Sequence, residues 1–260
     1  MTYDYINCQT IEGRAEITLN RPNVMNAYTE AMLIELNYAV EEAIDDESVY
    51  VLFITGSGSA FCTGRDLQRG TIDDYRLSER ERIGKVVSVM RHLYTDPKPS
   101  VAAINGPAVG GGMELALSCD FRIMSDDAFF RDGHTDVGFT PATGGAWLLP
   151  RLVGEARAKQ ATLLGEDINA ETAVDWGLVL DAVPAEKLVT QARIVANRLR
   201  DKPARALRES KALFDPAKSS FDEHAQATLD ARWACQEDSE SREARTALRE
   251  SREPNYNREY

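Results

Sequence analysis

Residues 100–118 read SVAAINGPAVGGGMELALS, and the chain changes character three times within them. Ser100 to Ile104 is a short run of small and branched apolar residues, the pattern of a strand buried on both faces. Asn105, Gly106 and Pro107 end it. Gly110, Gly111 and Gly112 then open a helical stretch that runs from about Gly111 to Ser118. A buried strand that passes through glycines into a helix is the building unit of α/β proteins, and the turn between the two is where such folds place ligands.

The unit recurs on both sides of this stretch. Upstream, Val49 to Thr55 reads as a second buried strand, preceded by Met32, Leu33, Leu36, Ala39, Val40 and Ala43 at helical spacing. Earlier still, Tyr5 to Thr10 and Ala15 to Leu19 alternate around Glu12 and Gly13 in the manner of a hairpin, and Asn20, Arg21 and Pro22 break the pattern. Downstream, Phe121 to Met124 reads as a third buried strand. Gly145 to Leu164 is helical, Ala170 to Trp176 is a short helix stopped by Gly177, and Val179 to Val183 closes the strand series. Beyond about residue 184 strand-like runs vanish, and helical stretches rich in Arg, Glu and Ala follow, punctuated by Pro203, Pro216 and Pro254.

The predicted fold class is therefore α/β, with a core over residues 1–199 and a helical region over 200–260. In that last region Leu207, Ala212, Leu213, Phe214, Leu229 and Trp233 need burial with no sheet nearby to provide it. Docking on a neighbouring subunit is the expected solution.

Composition narrows the function. The 260 residues are 43% hydrophobic and 28% charged, close to the average for soluble domains. Thirty basic residues against 42 acidic ones leave a formal charge of -12, the wrong field for nucleic acid. Cys8, Cys62, Cys119 and Cys235 form neither a C-x-x-C pair nor a compact disulfide framework, which points to a reducing compartment. Met1 to Thr10 lacks the features of a signal peptide, and no window is apolar for long enough to span a bilayer. A cytoplasmic protein with neither membrane nor nucleic-acid partner is expected. No group of His, Cys and acidic residues has metal-ligand spacing.

Two glycine-containing turns follow buried strands. One runs Ser59-Ala60-Phe61-Cys62-Thr63-Gly64-Arg65-Asp66-Leu67, the other from Asn105 to Gly112. Consecutive glycines at a helix mouth leave backbone N–H groups bare to an incoming atom, and the helix N-terminus favours negative charge there. The anion is not marked as a phosphate, because the P-loop lysine and the G-x-G-x-x-G fingerprint are both missing. No G-x-S-x-G nucleophile elbow occurs either. Glu114 lies three residues after Gly111 and so shares its helix face. An oxyanion donor beside a carboxylate is the arrangement that enolate chemistry needs.

Both turns resemble those of the enoyl-CoA hydratase/isomerase family, also called the crotonase family. Thr18-Leu19-Asn20-Arg21-Pro22, Pro141 with Gly144-Gly145, Leu149-Pro150-Arg151-Leu152-Val153-Gly154 and Trp176-Gly177-Leu178-Val179 extend the likeness, in order and spacing, over nearly the whole chain. The resemblance implies a crotonase-like spiral of strand-strand-helix repeats with a C-terminal helical trimerisation region, assembled as a homotrimer or hexamer. It implies an acyl-CoA substrate, with coenzyme A as part of that substrate and no separate cofactor. The backbone N–H groups of Arg65 and Gly111 would hold the thioester oxygen, with Gly64 and Gly110 beside them. Asp66, Leu67 and Gln68 would line the coenzyme A path, and Val24, Met25 and Ala27 would approach the adenine end.

The activity so implied is that of an enoyl-CoA hydratase; a double-bond isomerase, an acyl-CoA hydrolase and a non-catalytic coenzyme A-binding scaffold are the alternatives. The family's hydratases use two glutamates. Glu114 matches the first and is expected to serve the carbon next to the enolate. Alignment on Gly138 and Pro141 puts His134 at the second, where an imidazole assists because it exchanges protons near neutral pH. Asp132 and Asp136 flank it as candidates to orient the ring or to reach the substrate. His92 and His224 are read as structural.

Overall fold

The computed structural model describes residues 2–67, 79–141, 144–214, 221–256 and 258. Strands β1 (Ile6–Ile11) and β2 (Arg14–Leu19) form the expected hairpin. Its two turn residues, Glu12 and Gly13, have φ of 48° and 76°, and two positive φ values match the twist of an antiparallel pair. Helix α1 (Glu30–Asp45) starts at Thr29, whose side chain accepts from the Met32 N–H, and it buries the six apolar residues that the spacing predicts. There follow β3 (Val51–Gly56), α2 (Glu79–Thr95), β4 (Ser100–Ile104), β5 (Ala108–Val109), α3 (Gly111–Ser118), β6 (Phe121–Ser125) and β7 (Phe129–Arg131). Then come α4 (Gly145–Val153), α5 (Glu155–Leu164), β8 (Ile168–Asn169), α6 (Ala170–Asp175), β9 (Asp181–Val183) and four helices: α7 (Leu188–Arg200), α8 (Ala204–Ala212), α9 (Phe221–Glu237) and α10 (Ser239–Glu250).

The main sheet has six strands in the order β1-β2-β3-β4-β6-β9, parallel except for the hairpin, and β5-β7-β8 form a second sheet. A pass through the main sheet is followed by a short strand in the second sheet and then by a helix, as in β4-β5-α3 and β6-β7-α4. This is the strand-strand-helix step of the expected spiral. Its corner is tight: a Cβ on Gly106 would lie 2.1 Å from the Ser59 carbonyl oxygen, so the corner packs directly on the loop after β3.

Both faces of the central strands β3 and β4 are buried, which is why they read as unbroken apolar runs rather than alternating ones. Leu52, Ile54, Ala102, Ile104 and Met124 face the core shared with α1, α2 and α3. Val51, Phe53, Val101, Ala103 and Ile123 pack instead on Leu188, Ala192, Ala196 and Leu199 of α7. Burying one such large aliphatic or aromatic side chain contributes about 1.5–3 kcal/mol. At the edge of this second layer, Glu16 is buried between Arg14 (3.2 Å) and Arg193 (2.6 Å), so α7 meets β2 through charge rather than through apolar contact.

Three features depart from the sequence reading. The strands β5, β7 and β8 are too short to show an alternation. Helix α2 hides its stripe of Val86, Val89, Met90 and Leu93 among charged neighbours. The stretch from Gly145 to Leu164 is two helices rather than one, broken at Gly154, whose φ of 81° suits glycine. After α7, helix α8 is tied to the core by Lys211, which donates to the carbonyls of Leu93 and Lys98 at 2.9 Å and pairs with Asp120 at 2.8 Å. Leu207 packs on the core, whereas Phe214, Leu229, Trp233 and Leu248 are exposed on the single chain.

Candidate active site

The two glycine turns meet. Gly64 has φ +81°, and a Cβ there would sit 2.9 Å from the Val109 carbonyl oxygen and 3.3 Å from the Gly111 nitrogen. The backbone at Arg65 is therefore set against the start of α3 with no room for a side chain at Gly64. Tyr28 fastens the segment from outside: its N–H donates to the Gly64 carbonyl at 2.8 Å and its carbonyl accepts the Asp66 N–H at 3.0 Å. Gly110, with φ 53° and ψ -122°, donates its N–H to the Arg131 carbonyl at 2.8 Å and turns the chain into α3. Gly111 then holds the first helical position, where an N–H has no carbonyl partner within its own helix.

All eight residues of α3 are buried. The far end of the helix is closed by the wholly buried guanidinium of Arg122, which donates to the carbonyls of Leu117, Cys119 and Leu178. Protein atoms surround most of the helix that carries Gly111, and an N–H offered in such surroundings makes a stronger hydrogen bond than it would in solvent.

Glu114 lies on the same helix, buried, and its Oε1 accepts the Gly145 N–H at 2.8 Å. Only a glycine permits that approach, since a Cβ on residue 145 would fall 2.5 Å from Oε1. Across from it, His134 Nδ1 is 2.5 Å from Asp132 Oδ1, and Asp132 Oδ2 accepts the Thr162 hydroxyl at 2.7 Å. The other edge of the ring turns towards Gly110: Cε1 and Nε2 lie 3.6 and 3.7 Å from where a Cβ on that residue would be. Glu114 and His134 thus flank the turn that presents Gly111.

The electrostatics follow from these contacts. Burial works against the imidazolium, but the hydrogen bond with Asp132 and the negative charges of Glu114 and Asp132 outweigh it and hold the His134 pKa above its ordinary value. Burial likewise opposes the Asp132 carboxylate, yet its hydrogen bonds with His134 and Thr162 keep its pKa below the usual range. Of the two flanking acids, Asp132 meets the imidazole. Asp136 pairs with Arg131 at 2.8 Å instead and is half exposed, its carboxylate lying against Gly165.

A narrow apolar cleft, partly open to solvent, adjoins Gly111 and is lined by Tyr28, Met32, Leu36, Val86, Met90 and Leu115 among others. Tyr28 stands at its inner end, where a Cβ on Gly111 would lie 2.3 Å from the phenolic oxygen. On the outer side Val24, Met25 and Leu67 are exposed and Ala27 is half-buried, with the Thr63 N–H bonded to the Met25 carbonyl at 3.2 Å. The two segments assigned to the coenzyme path thus lie side by side, while Gln68 falls outside the described residues. Asp66 is buried and pairs with Arg21 at 3.0 Å, and Arg21 also donates to the Ala27 carbonyl, so this carboxylate braces the wall from within.

His92 is 3.6 Å from Glu41 and joins α2 to α1; the His224 side chain falls outside the described residues. Sequence reading missed Arg21 as a partner, Tyr28, Gly145 as a donor and Thr162. Arg21 and Gly145 stand in motifs that were visible, whereas Thr162 is thirty residues from Asp132 with no mark in the sequence.

A family model described as enoyl-CoA hydratase/isomerase matches residues 9–259. The chain is 36% identical over 259 residues to a crotonyl-CoA hydratase of Syntrophomonas wolfei, covering 98% of this chain and 99% of that one. It is 34% identical over 206 residues to the 1,2-epoxyphenylacetyl-CoA isomerase of Escherichia coli, with 77% and 78% covered. Among solved structures, the enoyl-CoA hydratase of Bacillus anthracis superposes with a TM-score of 0.92 at 30% identity, over 98% of this chain and all of the other.

Proposed function

Since the chain belongs to the enoyl-CoA hydratase/isomerase family, we propose that it adds water to the double bond of an enoyl-CoA thioester, with Glu114 as base and His134 as acid. The observation that carries this reading is the pair itself: a buried carboxylate on α3 fixed by the Gly145 N–H, and an imidazole pinned by Asp132 with its free edge against Gly110, the residue before Gly111. The thioester oxygen accepts the N–H groups of Arg65 and Gly111, which stabilise the negative charge that develops on it. Water attacks the β-carbon and gives its proton to Glu114. The electron pair of the double bond moves to form the enolate, and His134 Nε2–H protonates the α-carbon. Glu114 then returns its proton through solvent to the imidazole. A raised His134 pKa supports this division, because it favours the protonated imidazole that must deliver the proton. This reading gives Glu114 the water, where the sequence expectation gave it the carbon next to the enolate.

The apolar lining of the cleft beside Gly111 suits an acyl chain, and the exposed side chains of Val24, Met25 and Leu67 suit the coenzyme. Coenzyme A enters as part of the substrate, and no further cofactor has a role in these steps. One observation favours a second reading, double-bond isomerisation: the site pairs a single glutamate with a histidine. Isomerisation moves a proton without consuming water.

The test is a screen of enoyl-CoA thioesters, crotonyl-CoA first, read by mass spectrometry. Hydration adds the mass of one water, isomerisation leaves the mass unchanged, and hydrolysis releases free acid. Glu114→Gln should lower kcat by about 10²–10⁴-fold with substrate binding little changed. An unimpaired Glu114→Gln enzyme would overturn the mechanism.

The same reading assigns residues 200–260 to subunit contacts, supported by the exposure of Phe214, Leu229, Trp233 and Leu248. A trimer or hexamer is expected in light scattering, and a stable monomer at micromolar concentration would sink the assignment. No helix among the described residues is long and apolar enough to cross a membrane. All four cysteines are unpaired, which supports a reducing, cytoplasmic setting.

A further inference from the structure

Asp132 belongs to a type of residue that normally faces solvent, yet it is buried in a turn whose next residue, Gly133, has φ +65°. A carboxylate taken out of water keeps its charge only when its oxygens are hydrogen-bonded. Here both are, and by partners from different elements: Oδ1 by His134 Nδ1 at 2.5 Å, Oδ2 by Thr162 of α5 at 2.7 Å. Two bonds from two directions leave the carboxylate no free rotation. The nitrogen that faces an ionised carboxylate must carry the proton, so Nδ1 is the fixed N–H and Nε2 is the position that changes. Nε2 is also the nitrogen on the Gly110 side of the ring.

We infer that Asp132 is a positioning residue for His134, locking the imidazole in the Nδ1–H tautomer with Nε2 aimed at the reacting carbon, and that Thr162 in turn locks Asp132. The inference rests on the reading of His134 as the acid. It explains how one histidine can stand where the family's hydratases use a glutamate. A free imidazole would rotate and would present either nitrogen; one held by a buried carboxylate presents a single proton in a single direction. The charged groups that face His134 are Asp132 from its own turn and Glu114 from α3, while Asp136 and Arg131 pair with each other.

Three enzymes and one spectrum test this. In Asp132→Asn the amide no longer favours the imidazolium. The kcat should fall at least tenfold, towards the ~10²–10⁴-fold that losing the acid outright would cost. KM should change little, and the alkaline limb of the pH–rate profile should move to lower pH. Thr162→Val keeps the carboxylate and should move the limb the same way by less. His134→Ala sets the ceiling. Nitrogen-15 spectra of the histidines in the wild-type protein should show Nδ1 of His134 protonated throughout the titration, a readout that does not depend on any variant folding. A neutral Nε2–H tautomer in the wild type would overturn the inference. So would Asp132→Asn with normal kcat and an unmoved limb beside a crippled His134→Ala, which leaves the assignment of the acid standing. His134→Ala at the wild-type rate would remove both.

Discussion

The wall of the site that offers N–H groups and the wall that moves protons meet at Gly110, and they are held in different ways. In the first wall a Cβ would run into backbone, meeting the Val109 oxygen at 2.9 Å from Gly64 and the Cys62 oxygen at 2.0 Å from Gly112, and from Gly111 it would have to displace the Tyr28 phenol at 2.3 Å. Backbone packing fixes it, and the identity of the Arg65 side chain is secondary. The second wall is specified by side chains. Asp132, His134 and Thr162 define it, while Gly138 in the same turn has φ +75° but nothing within 4 Å of a would-be Cβ. One wall is thus sensitive to volume and the other to chemistry.

Among substitutions that keep the proton-transfer groups themselves, the largest effect is expected where volume matters. Gly64→Ala should push the Arg65 and Gly111 donors apart and lower kcat by the ~10²–10³-fold that follows loss of an oxyanion donor. Gly138→Ala meets only the backbone cost of a positive φ and should retain most of its turnover. Equal damage from the two in a side-by-side kinetic assay would erase the distinction. Gly145→Ala comes next, because it displaces the Glu114 carboxylate rather than removing it; a misplacement of about 1 Å can cost about 10²-fold.

The chemical wall should show itself in pH. Hydration should fall as pH rises through the His134 pKa, at a midpoint above the ordinary histidine value of about 6.5, because the acid must be protonated. A limb below that value would mean that the Asp132 and Glu114 charges do not reach the ring. Stability should follow the same groups. His134, with its pKa raised, contributes fully below about pH 6.5, and that contribution is lost as pH climbs through the raised value. Asp132, with its pKa lowered, contributes fully above about pH 3.9 and loses that contribution as pH falls through the lowered value. The pair should therefore stabilise the wild type most between those limits, relative to Asp132→Asn, in denaturant titrations across pH. The smallest effect is expected at Arg65→Ala: kcat should stay within a few-fold, and a larger fall would give the guanidinium a part that the backbone account denies it.

How legible the molecule was in its sequence depends on the same distinction. The strand Ser100–Ile104, helix α3 and the apolar stripe of α1 were visible because burial on a regular element leaves a period. The glycine wall was visible because glycines that must admit a backbone are unusual in sequence. The strands β5, β7 and β8 were not, since two or three residues carry no period. The Thr162–Asp132–His134 chain was legible only in part. His134 and Asp132 are two residues apart and were candidates together, but Thr162 reaches them from another helix, and a threonine on a helix carries no mark of its partner. Asp136, equally close in sequence, turns to Arg131.

Helix α3 has no solvent face along its eight residues, and its last carbonyls are held by a guanidinium in the core. An element of this kind has no private way to loosen: to move its first amide, the protein must open the packing around the whole helix. On slow heating, the capacity to hold a thioester oxygen should therefore persist until the chain melts as a unit, with no inactive but folded state beforehand on this account. The turn from Asp132 to Gly138, part of it at the surface, is under no such constraint. If catalysis fades a few degrees before the protein unfolds, the fault will lie on the side of the histidine.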